Sequence, residues 1–177
     1  MITAQARAMA GPTEPFRTVT IERRDVGPHD VLLDIVSAGV CHTDVHHARA
    51  EFGHTRYPIV PGHEIAAVVR EVGAEVTRFA VGDRAGVGCL VDSCRECASC
   101  RAGQESYCRR GKVLTYNGVG RDGAFAEYIA MPVSNVMKLG NIPTDIGAIM
   151  DPMGNAVHTA LEEHADVTGF LVAVASP

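Results

Sequence analysis

Cys94, Cys97, Cys100 and Cys108 fall in the single stretch CRECASCRAGQESYC, as C-x2-C-x2-C-x7-C. This spacing constrains the chain more than any other feature. In a reducing compartment, cysteines so closely set mean a metal rather than disulfides. The short gaps let a loop fold back until four thiolates reach tetrahedral positions, about 2.3 Å from one zinc ion. Thiolate softness selects zinc or an iron–sulfur cluster over magnesium or calcium, and incidental free thiols are the remaining alternative. A site closed by four sulfurs has no open position, so its role is structural. The other two cysteines are Cys41 and Cys89. Cys89, in the apolar stretch AGVGCLV, reads as a small core residue rather than a ligand.

The rest of the chain must supply a core. Its 177 residues suit one domain, or one domain and a fragment of another. A 46% apolar and 21% charged composition is that of a globular chain and argues against disorder. Sixteen basic and 21 acidic residues give a net charge of −5 with no basic block, which argues against nucleic acid or an anionic membrane as partner. The longest clean apolar run, Phe170 to Ala175, is far too short to span a bilayer. Met1 to Pro12 lacks the apolar centre of a signal peptide. These features together predict a cytoplasmic protein.

Strand patterns recur through the chain. Val31 to Ala38, the neighbourhood of Ile21, Ile65 to Val72, Arg84 to Leu90 and Phe125 to Met131 read as strands. Gly-Pro pairs at 11–12 and 27–28, Pro-Gly at 61–62, Gly-Asp at 82–83 and Gly-Asn at 140–141 punctuate them. Short strands at this spacing predict a mainly β fold with short helices, a distorted barrel. Cys41 to Glu51 reads as a short helix, and the four-cysteine lobe as a loop projecting between strands. Thr144 is placed to cap a helix running to about His164. Asp151, Asn155, His158 and Thr159 would then share one face, either solvated or lining a cleft.

A second constellation lies upstream of the lobe. GVCHTDVHHARAEFG, from Gly39 to Gly53, is followed by PGHE, from Pro61 to Glu64. A cysteine, a histidine and a carboxylate form a mixed donor set suited to a catalytic zinc with an open position. By residue type alone, a histidine beside a glutamate, as at His63–Glu64, is usually just a satisfied polar pair. His42, His47 and His54 read as solvated.

The ordered series GVCHTDVH, VPGHE, GDRAGVG and the four-cysteine lobe resembles the zinc-dependent medium-chain alcohol dehydrogenases. AGVGCLVDSCRECASC, with Tyr107–Cys108 and Thr115–Asn117, is similar to the cinnamyl alcohol dehydrogenase type over roughly residues 1–120. GAFAEYIAMP and IMDPMGNAVHTALE, over residues 124–162, look more like threonine and polyol dehydrogenases. The resemblance implies a GroES-like barrel with one catalytic and one structural Zn2+ per chain. It implies NAD(P) as hydride carrier, with the cinnamyl likeness leaning to NADP, and a small alcohol or aldehyde as substrate.

Residue by residue, the resemblance makes Cys41 and His63 ligands of the catalytic zinc, with Glu64 or Asp151 as the third donor and Glu64 ranked first. It makes Thr43 the hydroxyl that takes the alcohol proton and His46 the relay to solvent. It makes Asp44 the residue that orients a zinc-bound imidazole, and it sets Asn155 and Thr159 near the nicotinamide. Residues 1–160 would form the zinc-binding catalytic domain, and residues 161–177 the start of a dinucleotide-binding domain whose glycine fingerprint does not follow. A non-catalytic zinc-binding module is the competing function. The strand at Phe170–Ala175 could pair with a partner chain and give a homo-oligomer.

Overall fold

A computed structural model describes residues 1–116 and 122–147 of the chain. Asp151, Asn155, His158, Thr159, the helix expected to reach about His164, and the strand expected at Phe170–Ala175 lie outside the described residues. So does all of the segment 161–177.

Among the described residues, nine strands and three short α-helices follow in order. They are β1 (Ile2–Ala8), β2 (Arg17–Arg23), β3 (Asp30–Gly39), α1 (His42–Ala48), β4 (Glu64–Val72), β5 (Arg84–Val87) and β6 (Leu90–Asp92). α2 (Ala98–Arg101), β7 (Val113–Leu114), β8 (Tyr128–Pro132), β9 (Met137–Lys138) and α3 (Thr144–Gly147) complete the series. The mainly β architecture expected from the sequence is present. Five antiparallel strands form the main sheet in the order β8-β3-β4-β5-β9. β1 and β2 form a hairpin, and β6 and β7 a second, smaller ribbon.

The core explains these choices. Val31, Leu33, Ile65, Ala67, Val69, Ala85, Val87, Ile129 and Met131 alternate inward from β3, β4, β5 and β8 and pack into one cluster with Phe79, Val91 and Val136. These β-branched and long apolar side chains fit a pleated, half-buried surface. β1 is harder to see in the sequence, because its inward side chains are Ala4, Ala6 and Ala8. Its backbone is tied to the segment before β8: Arg7 N–H donates to the Phe125 carbonyl and Glu127 N–H to the Gln5 carbonyl.

Two features of this sheet position the site. First, β3 and β4 pair in antiparallel register with Gly39 opposite Glu64. That single pairing brings Cys41, just past the end of β3, beside His63, just before the start of β4. Second, the loop at Val60–Gly62 is clamped. Gly123 N–H donates to the Val60 carbonyl at 2.7 Å, Phe125 N–H to Pro61 at 3.0 Å and Ala124 N–H to Gly62 at 2.9 Å. Arg23 holds the clamp from behind, donating to the carbonyls of Asp122, Gly123 and Tyr128. The approach is close enough to require glycine on both sides. A Cβ on Gly123 would sit 2.4 Å from the Pro61 carbonyl oxygen. Gly62 adopts φ +104°, where L side chains are disfavoured, and its Cβ would meet Phe125 at 2.7 Å.

Candidate metal centre

The four-cysteine lobe runs from β6 to β7, as the loop between strands that its spacing predicts. The Sγ atoms of Cys94, Cys97, Cys100 and Cys108 all lie within 4.8 Å of one another. Cys94 and Cys100 are 3.8 Å apart and Cys97 and Cys100 are 3.4 Å apart. A tetrahedron with metal–sulfur arms of about 2.3 Å has edges of about 3.8 Å, so the cluster is already sized for zinc. All four thiols are free rather than joined as disulfides. Backbone N–H groups of Cys100 and Arg109 aim at Cys97 and pull its thiol down to about 6. Ser93 favours the Cys100 thiolate, but burial and the neighbouring Cys97 and Cys108 sulfurs outweigh it and push Cys100 up to about 11. Thiolate is the form that binds a metal, so binding of a dication would release protons from the cluster.

The mixed cluster is assembled by the register described above. Cys41, His63 and Glu64 place one donor atom each within 4.8 Å of one another. His63 and Glu64 are buried and Cys41 is half-buried. Thiolate, imidazole and carboxylate are all zinc donors, and three protein ligands leave one position open. The donor set fits the metal. Of the two carboxylates that the sequence left open, Glu64 stands with Cys41 and His63, whereas Asp151 lies outside the described residues.

Asp44 organises this centre from beneath. It is 2% exposed, and every described contact of its carboxylate serves the site. Oδ2 accepts from the Cys41 N–H at 2.9 Å, and Oδ1 accepts from the Gly62 N–H at 2.9 Å and from the Tyr116 hydroxyl. Oδ1 also lies 3.3 Å from His63 Nδ1, within ion-pair range but out of line for a hydrogen bond. One carboxylate thus ties together the residue before α1, the loop before β4 and the segment after β7. Burial alone would raise its pKa. His63, Tyr116 and the Cys41 N–H more than offset that, so Asp44 stays below the ordinary carboxylate range. Burial and Asp44 push the Tyr116 hydroxyl far upward, which keeps it a donor.

His63 responds in the opposite direction. Burial lowers it, but Asp44 and the Cys89 thiol overcome burial and raise it to about 11. Cys89 itself is half-buried and near enough to His63 to contribute to that shift. His47 departs from expectation. It is 8% exposed, not solvated, and its ring packs edge-on against Tyr116 and Phe52. His42 and His54 are exposed, as read from the sequence.

Thr43 and His46 both lie on α1. The Cys41 Sγ lies 3.6 Å from Thr43 Oγ1, so the hydroxyl is at the edge of the mixed cluster. His46, one turn further, is 36% exposed and its Nδ1 meets the Glu51 carboxylate. Tyr116 was singled out in the sequence only as part of a resembling tripeptide. Its bond to Asp44 spans 72 residues, and no local pattern could have announced it.

A family model described as "Alcohol dehydrogenase GroES-like domain" matches residues 27–141, more than half of the chain. The chain belongs to the alcohol dehydrogenase GroES-like family. It is 47% identical over 167 residues to the NADP-dependent alcohol dehydrogenase C of Mycobacterium tuberculosis, covering 91% of this chain and 48% of that protein. It is 45% identical over 149 residues to cinnamyl alcohol dehydrogenase 2 of Rauvolfia serpentina, covering 81% of this chain and 40% of that one. Among solved structures, the CAD of Helicobacter pylori complexed with NADP(H) superposes with a TM-score of 0.83 at 34% identity. That match covers 91% of this chain and 48% of the other. The chain spans about half the length of the curated relatives it matches.

Proposed function

We propose that this chain is the zinc-binding catalytic portion of an NADP-dependent alcohol dehydrogenase, acting on a small alcohol or the corresponding aldehyde. The observation that carries the reading is the convergence of Cys41, His63 and Glu64 on one point with Asp44 behind them. The NADP-dependent relatives support the choice of cofactor. No helix among the described residues is long and apolar enough to cross a membrane. Free thiols throughout fit the reducing cytoplasm.

Cys41, His63 and Glu64 would hold the catalytic zinc, and Cys94, Cys97, Cys100 and Cys108 the structural one. Bound at the mixed centre, zinc supplies Lewis acidity that lowers the pKa of an alcohol hydroxyl. The chain's own residues then handle the proton. Thr43 Oγ1, beside Cys41, would accept it, and NADP, when bound, would supply the hydride acceptor. His46, on the same helix and partly open to water, would pass the proton to solvent. Asp44 holds the His63 ring in place so that its other nitrogen can serve as ligand. Asn155 and Thr159 are proposed to contact the cofactor, and Asp151 to approach the metal.

Titration of the zinc-loaded chain with NADPH, followed by nicotinamide fluorescence and by turnover on a panel of alcohols, tests this. Saturable binding with alcohol-dependent reduction of NADP supports the enzyme reading. No binding at millimolar cofactor would leave a zinc-binding module, the competing function.

A further inference from the structure

We propose that α1 carries an additional site for a divalent transition metal, built from His42 and His46 and oriented by Glu51. It is separate from both cysteine-containing centres. The two histidines stand four residues apart, on one face of the helix. Their ring centroids are 4.5 Å apart, with an interplanar angle of 62°. Paired histidines at this helical spacing are a recognised way to seize one metal ion from a single face.

The surroundings make the pair more than two neighbouring rings. His46 Nδ1 meets the Glu51 carboxylate. Glu51 is itself anchored to the helix end, its N–H donating to the His46 carbonyl at 2.9 Å. With Nδ1–H given to the carboxylate, the imidazole keeps its lone pair on Nε2. Metal-ligating histidines almost always donate their other ring N–H to a carboxylate, a backbone carbonyl or water, and a carboxylate fills that place here. Phe52 packs against the His46 ring, with centroids 5.1 Å apart. Among the described residues, no hydrogen bond engages either ring nitrogen of His42 or the Nε2 of His46. His42 is exposed and His46 half-exposed, so an ion arrives from water and keeps water in its remaining positions.

The chemistry of the pair indicates its ligand class. Two imidazoles with no thiolate favour Ni2+, Cu2+ or Zn2+ over Mg2+ or Ca2+. The neighbouring Cys41 does not join them, because its sulfur is committed to His63 and Glu64. His46 is also the proposed proton relay, so an ion on its Nε2 would compete with proton release. Metal binding itself does not rest on that role.

The test is calorimetric titration of the zinc-loaded chain with Ni2+, which spares thiols from the oxidation that Cu2+ would cause. Zinc content and far-UV circular dichroism are measured in parallel. The wild type should take up one further equivalent of Ni2+ in a saturable step. His42→Ala should abolish that step while retaining its zinc and its spectrum. Glu51→Gln should weaken it by about 10- to 100-fold, the usual effect of removing a carboxylate behind a metal-bound histidine. His29→Ala, remote in sequence, should bind like wild type. Absence of a saturable step in the wild type up to millimolar Ni2+ would overturn the proposal. So would a step that survives in His42→Ala with zinc intact.

Discussion

Replacing Tyr116 by Phe removes one oxygen from the hydrogen-bond network around Asp44. The hydroxyl is buried and donates to Asp44 Oδ1. A hydrogen bond to a charged acceptor contributes about 1.5–3 kcal/mol net. The loss should fall at the lower end of that range, because the carboxylate is not stranded. It still accepts the Cys41 and Gly62 N–H groups, each at 2.9 Å. The ring is also kept, with its packing against His63 and His47. The expected destabilisation is therefore about 1.5–2 kcal/mol. For a chain of this length, that lowers Tm by roughly 3–8 °C. Urea unfolding of the wild type and Tyr116→Phe, in excess zinc and again in chelator, measures it directly. A difference below about 0.5 kcal/mol, the range of ordinary surface substitutions, would refute the idea that Asp44 depends on Tyr116.

Other consequences can be checked in the same protein. Gly62→Ala puts a Cβ at φ +104° and 2.7 Å from Phe125. It should cost on the order of 2–4 kcal/mol and lower zinc occupancy of the mixed centre, read by chemical denaturation and metal analysis. Cys100→Ser should release one zinc per chain and leave the other bound, as elemental analysis of the purified protein would show; retention of both ions would contradict the structural site. Asp30 is held below the ordinary carboxylate range chiefly by its hydrogen bond to Arg24. Its depressed value means that its stabilisation is complete above the unfolded pKa of about 3.9 and is lost as pH falls through the folded value. The stability gap between wild type and Asp30→Asn should therefore be constant from about pH 5 upward and close below about pH 4. A gap that stays open in acid would argue against the Arg24 pairing.

Much of this architecture is legible in the sequence because its signals are local. The strand containing Val31 and Leu33 and the one containing Ile65 and Val69 carry enough β-branched and apolar residues to declare themselves. The four-cysteine lobe declares itself by spacing, and its loop position between β6 and β7 follows. β1 escaped because alanine, its inward residue, marks strands poorly. The site was legible as a donor list rather than as an arrangement. That Cys41 meets His63 depends on the Gly39–Glu64 register, which periodicity does not reveal. Tyr116 reaches the centre across 72 residues, and no local pattern announces its bond to Asp44. His47 reads as solvated in the sequence. It is buried because Tyr116 and Phe52 fold over it.

Metal content after mild dialysis, compared among wild type, Cys41→Ser and His63→Ala, tests most directly whether Cys41, His63 and Glu64 form a metal centre distinct from the cysteine lobe. The wild type should hold two zinc ions per chain and each variant one, with the lobe's ion retained. A wild type that holds a single zinc, or a Cys41→Ser variant that still holds both, would contradict a separate centre.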